Sequence, residues 1–331
     1  MNRLASSLLC GRGICASIAL AVLTLTATPA VAQPYPNKPV RVIVTFPPGG
    51  TPDIYGRILS QELSNLWKQS VVVENKTGAS GTIGTDFVAK AAPDGYTLLF
   101  AADASITIAP NLVRNIPYNP LRDLTPVANA VAGPFVLLAH PGFAANDMKE
   151  FIALAKSQPG KISYASSGPG GQQHLSMETV RHLSGIDVTH VPYKGFGLGL
   201  GDVMAGHLPL IFGGITASIQ LTRSGKVKAL GVTSARRSQA LPQVAAIAET
   251  LPGFRIEAWY GFMGPPGMPR DIVARINADV ATIVRRPDFQ KRLVDDALDP
   301  ALGTPEEFAA QINADLANWA KLIKAVNVKV D

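Results

Sequence analysis

The sequence predicts an α/β protein built on parallel sheets, and two observations lead to this prediction. Apolar, β-branched runs alternate with helical runs along the chain, an order typical of parallel strands joined by helices. Three strand-to-helix junctions, at residues 49–51, 78–82 and 166–171, are uncharged and rich in glycine and hydroxyl groups. Such junctions lie together at the carboxyl edge of a parallel sheet, where ligands bind.

The first strand and helix show the pattern clearly. Residues 40–46 (VRVIVTF) are nearly continuously apolar, as expected of a strand that is covered on both faces. After the turn at 47–50, Thr51 offers an N-cap hydroxyl and Pro52 suits the first helical position. The predicted buried face of this helix consists of Ile54, Ile58, Leu63 and Leu66.

Later segments repeat the alternation. Further strands are predicted at 71–73, 96–101, 163–167, 188–193, 208–212 and 227–233. The helix after the second strand is predicted to bury Ile83, Phe87 and Val88 on one face. Asn146 is predicted to cap another helix, and Thr304 with Glu307 fits a capping box that opens a long C-terminal helix.

The first 32 residues are typical of a secretory signal peptide. Arg3 and Arg12 precede and flank an apolar segment, and the sequence Ala-Val-Ala at 30–32 fits the small-x-small cleavage rule. Cleavage after Ala32 predicts an exported, periplasmic protein; an uncleaved membrane anchor is the alternative. Both cysteines would leave with this segment, which excludes disulfides, thiolate metal sites and a cysteine nucleophile from the mature chain.

Several functional classes find no support in the residues. The net charge of +6 is modest and no run of five like charges occurs, so nucleic acid is not an expected partner. Residues 195–201 fail the dinucleotide fingerprint in every register, and no P-loop is present. The five histidines lack metal-ligand spacing, so no metal and no cofactor are expected. Of these histidines, His174 stays a candidate because it begins a helix beside a possible ligand loop.

Two aspartates and two serines each allow more than one functional interpretation. Asp53 lies in a first helical turn, where a capping role competes with ligand binding. Asp103 follows a strand directly and would either contact a cationic or hydroxylated ligand group or cap the next helix. An exported hydrolase using Ser80 or Ser167 is the rival function, although neither serine lies in a complete G-x-S-x-G motif.

A run of motifs resembles the Bug-type solute-binding proteins, the periplasmic receptors of tripartite tricarboxylate transporters. The motifs occur in order along the mature chain, at 35–41, 46–53, 72–84, 89–99, 164–168, 173–175 and 190–195. The resemblance implies a two-lobed, type II periplasmic-binding-protein fold of the Venus-flytrap kind, with two doubly wound α/β domains. The implied first domain comprises 33–131 and 257–331, and the second comprises 132–256.

The resemblance also implies a function. A receptor of this family would bind a small organic carboxylate between its domains and deliver it to membrane permease subunits, as a monomer, without catalysis and without a cofactor. A ligand-sensing protein that signals to a membrane sensor kinase is a second alternative. Loops 46–53 and 77–84 would hold one ligand carboxylate through backbone groups, hydroxyls and bridging waters. Neither loop contains arginine, which is compatible with backbone capture of the anion.

The second domain would close over the far end of the ligand. The residues expected to contact the ligand are Pro48, Gly49, Gly50, Thr51, Asp53, Gly78, Ala79, Ser80, Gly81, Thr82, Asp103, Ser166, Ser167, Gly168, Gln173, Tyr193 and Gly213. Family members often carry aspartate after the strand at 210–212, whereas this chain has Gly213 and Gly214. This departure predicts extra space for a bulkier distal group.

Overall fold

The computed structural model describes residues 35–113 and 115–328. The chain divides into two units, residues 1–37 and 38–331. In the first unit only residues 35–37 are described, and the Tyr35–Pro36 peptide bond there is cis. The predicted signal peptide and its cleavage site therefore lie outside the described residues, and the fold below is that of the second unit.

The strands of this unit form two sheets that share one long strand. They are β1 (Val40–Val44), β2 (Val71–Asn75), β3 (Thr97–Ala102), β4 (Thr125–Ala139), β5 (Ser163–Ser166), β6 (Thr189–Pro192), β7 (Leu210–Gly214), β8 (Lys228–Val232), β9 (Glu257–Gly264) and β10 (Asp299–Pro300). The first sheet has the order β2-β1-β3-β9-β4, with β10 pairing β4. The second has the order β4-β7-β5-β6, with β8 pairing β4.

Both sheets have a parallel part, as the sequence predicts. Strands β1, β2 and β3 are parallel, and so are β5, β6 and β7. Strand β9 is antiparallel to β3 and β4 in the first sheet, and β4, the strand that both sheets share, is also antiparallel to β7, β8 and β10. We call the first sheet with its helices the first lobe, and the second sheet with its helices the second lobe.

The shared strand β4 carries the chain from one lobe to the other. It spans 15 residues; those up to Pro134 pair with β9, and those from Phe135 onward pair with β7 and β8. The return crossing lies beside it, because Phe135 N donates to Thr233 Oγ1 at 2.7 Å and Ile256 N donates to Thr233 O at 3.0 Å. The predicted domain boundary at 131/132 falls inside β4, and the domain limits stay a prediction.

The helices cover the two sheets. They are α1 (Thr51–Trp67), α2 (Thr82–Ala89), α3 (Ala109–Leu112), α4 (Met148–Ser157), α5 (Gln172–Ser184), α6 (Phe196–Met204), α7 (Ile215–Arg223), α8 (Ile247–Thr250), α9 (Arg270–Arg285), α10 (Pro287–Asp295) and α11 (Pro305–Val326). A 3-10 turn (Ala79–Gly81) precedes α2, and a π-helical turn (Ala104–Ile108) precedes α3. No helix of the described residues is long and apolar enough to cross a membrane.

The buried face of α1 differs from the predicted one. The helix buries Tyr55, Leu59, Leu63 and Trp67, whereas Leu66 is 47% exposed and Ile54 and Ile58 are half-buried. The two aromatic rings can be buried because carboxylates satisfy their polar atoms. The Tyr55 hydroxyl donates to Asp296 and the Trp67 indole donates to Asp279, at 2.8 and 2.7 Å.

The predicted face of α2 is also wrong. Ile83 and Phe87 are 55% and 37% exposed, and of the predicted face only Val88 is fully buried. The helix packs its small residues inward, because a Cβ at Gly84 would lie 2.6 Å from Lys76 O. Helix and strand therefore approach too closely for larger side chains on that face.

The N-terminal caps of three helices can be compared with the predicted caps. The capping box of Thr304 and Glu307 is confirmed, with Glu307 N donating to Thr304 Oγ1. Asp147, not Asn146, caps α4, because its carboxylate accepts from Glu150 N at 2.8 Å. Gly50, not Thr51, is the N-cap of α1, so Thr51 is the first helical residue.

Candidate functional site

The predicted site residues lie at two sheet edges that face each other. In the first lobe, the loops after β1, β2 and β3 leave the carboxyl ends of three adjacent parallel strands. In the second lobe, the loops after β5, β6 and β7 do the same. Ser80 Oγ donates to Pro169 O at 3.4 Å across the two lobes. The two edges are thus in contact and the cleft between them is closed.

The loop between β1 and α1 presents a helix start. The first hydrogen bonds of α1 run from Asp53 N and Ile54 N to Gly50 O, both at 3.0 Å. The earlier N–H groups, those of Gly50 and Thr51, therefore lack intrahelical partners and suit an anion. Gly49 has φ 91°, which favours glycine, whereas Gly50 has φ −85°, which any residue adopts.

Asp53 supports this loop from behind. Its carboxylate accepts from Gly49 N at 3.2 Å, from Arg57 Nε at 3.0 Å and from Asn75 Nδ2 at 2.8 Å. Burial raises the pKa of the Asp53 carboxyl, but hydrogen bonds from Arg57, Asn75 and Gly49 outweigh burial and lower the pKa below its ordinary value. These contacts hold the loop in place without capping α1, which has no side-chain cap, and ligand contact by Asp53 stays a prediction.

The loop between β2 and α2 has a strained backbone. Gly78, Ala79, Ser80 and Gly81 all have positive φ, at 124°, 46°, 55° and 88°. For the two non-glycine residues this conformation costs about 1–3 kcal/mol each, and such strain clusters at ligand sites. The strain supports the prediction that this loop has a binding role.

In the second lobe, predicted contact residues shape the loop between β5 and α5. Ser166 Oγ accepts from Gly168 N at 3.1 Å and donates to Gly168 O at 3.0 Å. Gln173 Oε1 accepts from Ser167 N at 2.6 Å. The Tyr193 hydroxyl donates to Asp202 on α6. These polar side chains have partners within their own lobe. The backbone groups of this edge are therefore more available to a ligand than its polar side chains.

A buried hydrogen bond joins the lobes beneath these loops. Gln172 Nε2 donates to Asp103 Oδ2 at 2.6 Å. Asp103 is only 1% exposed, and burial first, then the nearby Asp315 carboxylate, raise the pKa of Asp103 well above its ordinary value. Sequence reasoning named Asp103 and expected the segment 166–173 to close over the ligand, but did not single out Gln172, whose position at the first turn of α5 was the available signal.

The predicted space at Gly213 is absent. A Cβ at Gly213 would lie 2.7 Å from Ser218 Oγ and 2.9 Å from the Phe196 ring, both within the second lobe. The expectation of a larger distal pocket is therefore wrong, because the missing side chain is replaced by Phe196 from α6. Gly214, which was named with Gly213 but not predicted as a ligand contact, faces the first lobe instead: its Cβ would lie 2.6 Å from Thr51 Oγ1.

Replacing Gly213 with Asp should therefore destabilise the second lobe. Overpacking against Phe196 and Ser218 should lower the free energy of unfolding by about 1–3 kcal/mol, and burying a carboxylate should add to this loss. Urea unfolding of wild type and variant measures the change. If the unfolding midpoint is unchanged and the ligand preference is altered, Gly213 faces the ligand cleft after all.

A cavity occurs in another part of the protein, away from Gly213. A cavity of about 410 Å³ beside β4 and β9 is lined by Asp103, Trp259, Asp315 and further residues of β9 and α11. Asp103 is the only predicted site residue that lines it. Within the described residues, no group of three His, Cys, Asp or Glu side chains could hold a metal ion.

Comparisons with known proteins match this architecture. The family model for the tripartite tricarboxylate transporter family receptor (TctC) matches residues 55–328. Protein BugT of Bordetella pertussis is 32% identical over 306 residues, covering 92% of this chain and 94% of BugT.

Two solved structures are similar along most of their length. Rpa4515 of R. palustris with adipate has a TM-score of 0.86 and 31% identity, covering 89% of this chain and 99% of that chain. MatC from Rhodopseudomonas palustris with bound malate has a TM-score of 0.81 and 31% identity, covering 87% of this chain and 100% of that chain.

Proposed function

This chain belongs to the family of tripartite tricarboxylate transporter receptors, and we propose that it is a periplasmic receptor that captures a small organic carboxylate between its two lobes. The single observation that carries this proposal is the contact between two sheet edges that both present glycine-rich helix starts. Unpaired N–H groups at such starts bind anions without a cationic side chain.

The ligand is proposed to be an aliphatic dicarboxylate. Adipate and malate, the ligands of the two similar structures, are both aliphatic dicarboxylates. The helix start at Gly50 and Thr51 and the strained loop at 78–81 would hold one carboxylate. The loop after β5 would then reach the other end of the ligand from the second lobe.

Delivery completes the proposed role. The receptor would act as a monomer, begin at Gln33 after export, and pass its ligand to membrane permease subunits of the transporter. It would hold no cofactor and catalyse no reaction. Neither Ser80 nor Ser167 is hydrogen-bonded to a histidine among the described residues. Ser166 lies 2.6 Å from His190 Nε2, but its hydroxyl already donates to Gly168 O and its side chain is fully buried.

A matched pair of ligands tests the proposal. Adipate and 1,4-diaminobutane share four methylene groups and differ in the sign of their end charges. We expect adipate or malate to raise the melting temperature of the purified, ligand-stripped protein, because binding to the folded state alone stabilises it. A free ligand concentration of one hundred times Kd should add about 2.7 kcal/mol. Equal effects of the diamine, or conversion of adipate to a product, would contradict the proposal.

A further inference from the structure

Two histidines of the second lobe stack on each other behind the loop between β5 and α5. The rings of His174 and His190 have centroids 3.9 Å apart and planes 9° apart. His190 also stacks on Tyr164, with centroids 5.0 Å apart. His174 lies in the first turn of α5 and is buried, and His190 lies in β6 and is half-buried.

Each ring holds a different part of the loop at 166–171. The backbone N–H of Gly170 donates to His174 Nδ1 at 3.0 Å. His190 Nε2 lies 2.6 Å from Ser166 Oγ, which in turn binds both the N–H and the carbonyl of Gly168. The next carbonyl, that of Pro169, accepts from Ser80 of the first lobe. The stacked rings therefore support the part of the loop that meets the first lobe.

The bond to Gly170 fixes the protonation state of His174. A backbone N–H only donates, so Nδ1 must be the unprotonated nitrogen of the ring. The ring proton is then on Nε2, which lies 3.7 Å from Glu178 Oε1. A second proton can bind only at Nδ1, where it would face the Gly170 N–H. A charged His174 therefore cannot keep its hydrogen bond to the loop.

The surroundings of the pair disfavour a positive charge, although one carboxylate lies nearby. Tyr164 faces it from β5, and Glu178 and Arg181 face it from α5. The carboxylate of Glu178 is engaged by Arg181 Nη1 at 2.8 Å and by the Tyr164 hydroxyl at 2.9 Å. Burial, then Arg181, lowers the pKa of His174 to about 4. Burial, then His174, lowers the pKa of His190 to about 4, although Glu178 acts in the opposite direction.

We propose that the stacked His174–His190 pair is a positioning element that keeps the loop between β5 and α5 in its ligand-binding shape only while His174 is neutral. Proton uptake then releases the loop and weakens carboxylate binding. This inference deepens the proposed function and rests on it. Both histidines act through the loop and touch no ligand.

The sign of the pH dependence follows from the lowered pKa values. A released histidine has an ordinary pKa of about 6.5, so protons favour the released loop. The contribution to binding is fully present above pH 6.5 and is lost as the pH falls from 6.5 toward 4. For one ring that moves between these values, ligand affinity should fall roughly tenfold between pH 7.5 and pH 5.5.

Two substitutions separate hydrogen bonding from titration. In His174→Asn, the side-chain carbonyl can accept from Gly170 N–H near the position of Nδ1, and in His190→Gln the amide can reach Ser166. Neither new side chain titrates in this range. Calorimetry with adipate at pH 7.5 and 5.5 should show that the double variant keeps its affinity about tenfold better than wild type. Protonation of adipate at the lower pH affects wild type and the double variant equally, so it does not alter this comparison.

Two further variants complete the design. His174→Leu removes the acceptor and should weaken adipate binding at both pH values, because Gly170 N–H loses its partner. His182→Asn removes an exposed histidine from the same helix and should behave like wild type. If wild type and the double variant lose affinity equally at pH 5.5, the proposal is wrong.

A readout without ligand distinguishes this inference from the proposed function. Nuclear magnetic resonance of the ligand-free protein should show that the amide shift of Gly170 follows the titration of the His174 ring. If neither adipate nor malate binds, the proposed ligand class fails while this titration still tests the pair. A Gly170 amide that does not respond to the His174 titration would overturn the inference.

Discussion

Replacing Gly214 with Ala should weaken carboxylate binding by about ten- to a hundredfold, because the added methyl group would hold the lobes apart. The new Cβ would lie 2.6 Å from Thr51 Oγ1 of the first lobe, well inside van der Waals contact. Overpacking of this kind costs about 1–3 kcal/mol, which corresponds to this loss of affinity. Gly214 has φ −58°, so alanine fits its backbone and the ligand-free protein should stay folded.

A second substitution should rescue this variant. Thr51→Ala removes Oγ1, after which the nearest remaining atom of residue 51, Cβ, is 3.7 Å from the new methyl group, an ordinary contact distance. The double variant should therefore bind adipate more tightly than Gly214→Ala alone. Calorimetry on the two single variants and the double variant measures the coupling. A Gly214→Ala protein with unchanged affinity would show that the bound lobes never approach this closely.

Replacing Gly81 with Val should lower carboxylate affinity at least about a hundredfold. Gly81 has φ 88°, a region that β-branched residues strongly disfavour. Its Cβ would also lie 3.0 Å from Ser105 Cβ and 3.1 Å from Thr45 Oγ1. The backbone strain and the crowding together should cost several kcal/mol and distort the loop that precedes α2. Calorimetry with adipate, on protein that circular dichroism shows to be folded, gives the affinity.

Gly225→Val is the matched control for this substitution. Gly225 has φ 70°, and its Cβ would meet nothing within 4 Å. The variant carries a similar backbone cost in the turn after α7, away from both sheet edges, and should bind adipate like wild type. Equal losses in both variants would indicate general destabilisation. Full binding by Gly81→Val would mean that the loop is only a turn.

The sequence predicted the parts of the fold that depend on local pattern. Parallel strands, glycine-rich junctions and the capping box at Thr304 are encoded within a few residues of each other. The antiparallel strands β4 and β9 were not predicted from the residues. They contain Pro126, Gly133, Pro134 and Gly261, which are poor strand formers, and they are strands because distant segments pair with them.

The candidate site could also be predicted only where it depends on local sequence. Its loops were found because each is an uncharged, glycine-rich junction, visible in one short window. The contacts between Gln172 and Asp103, and between Gly214 and Thr51, join residues far apart in the chain. These contacts depend on how the two lobes close on each other, and no short sequence pattern predicts that closure. The Gly213 prediction failed for the same reason, since Phe196 fills that space from another helix.

The position of β9 decides when the first lobe can finish folding. In its sheet β9 lies between β3 and β4, yet the ribosome makes it only after the whole second lobe. Until β9 arrives, the facing edges of β3 and β4 have no strand between them, and such edges invite pairing with other chains. Pairings between distant segments also form slowly. The nascent chain therefore stays open until its last quarter is synthesised, and a chain that stopped before Glu257 would expose two sheet edges to aggregation.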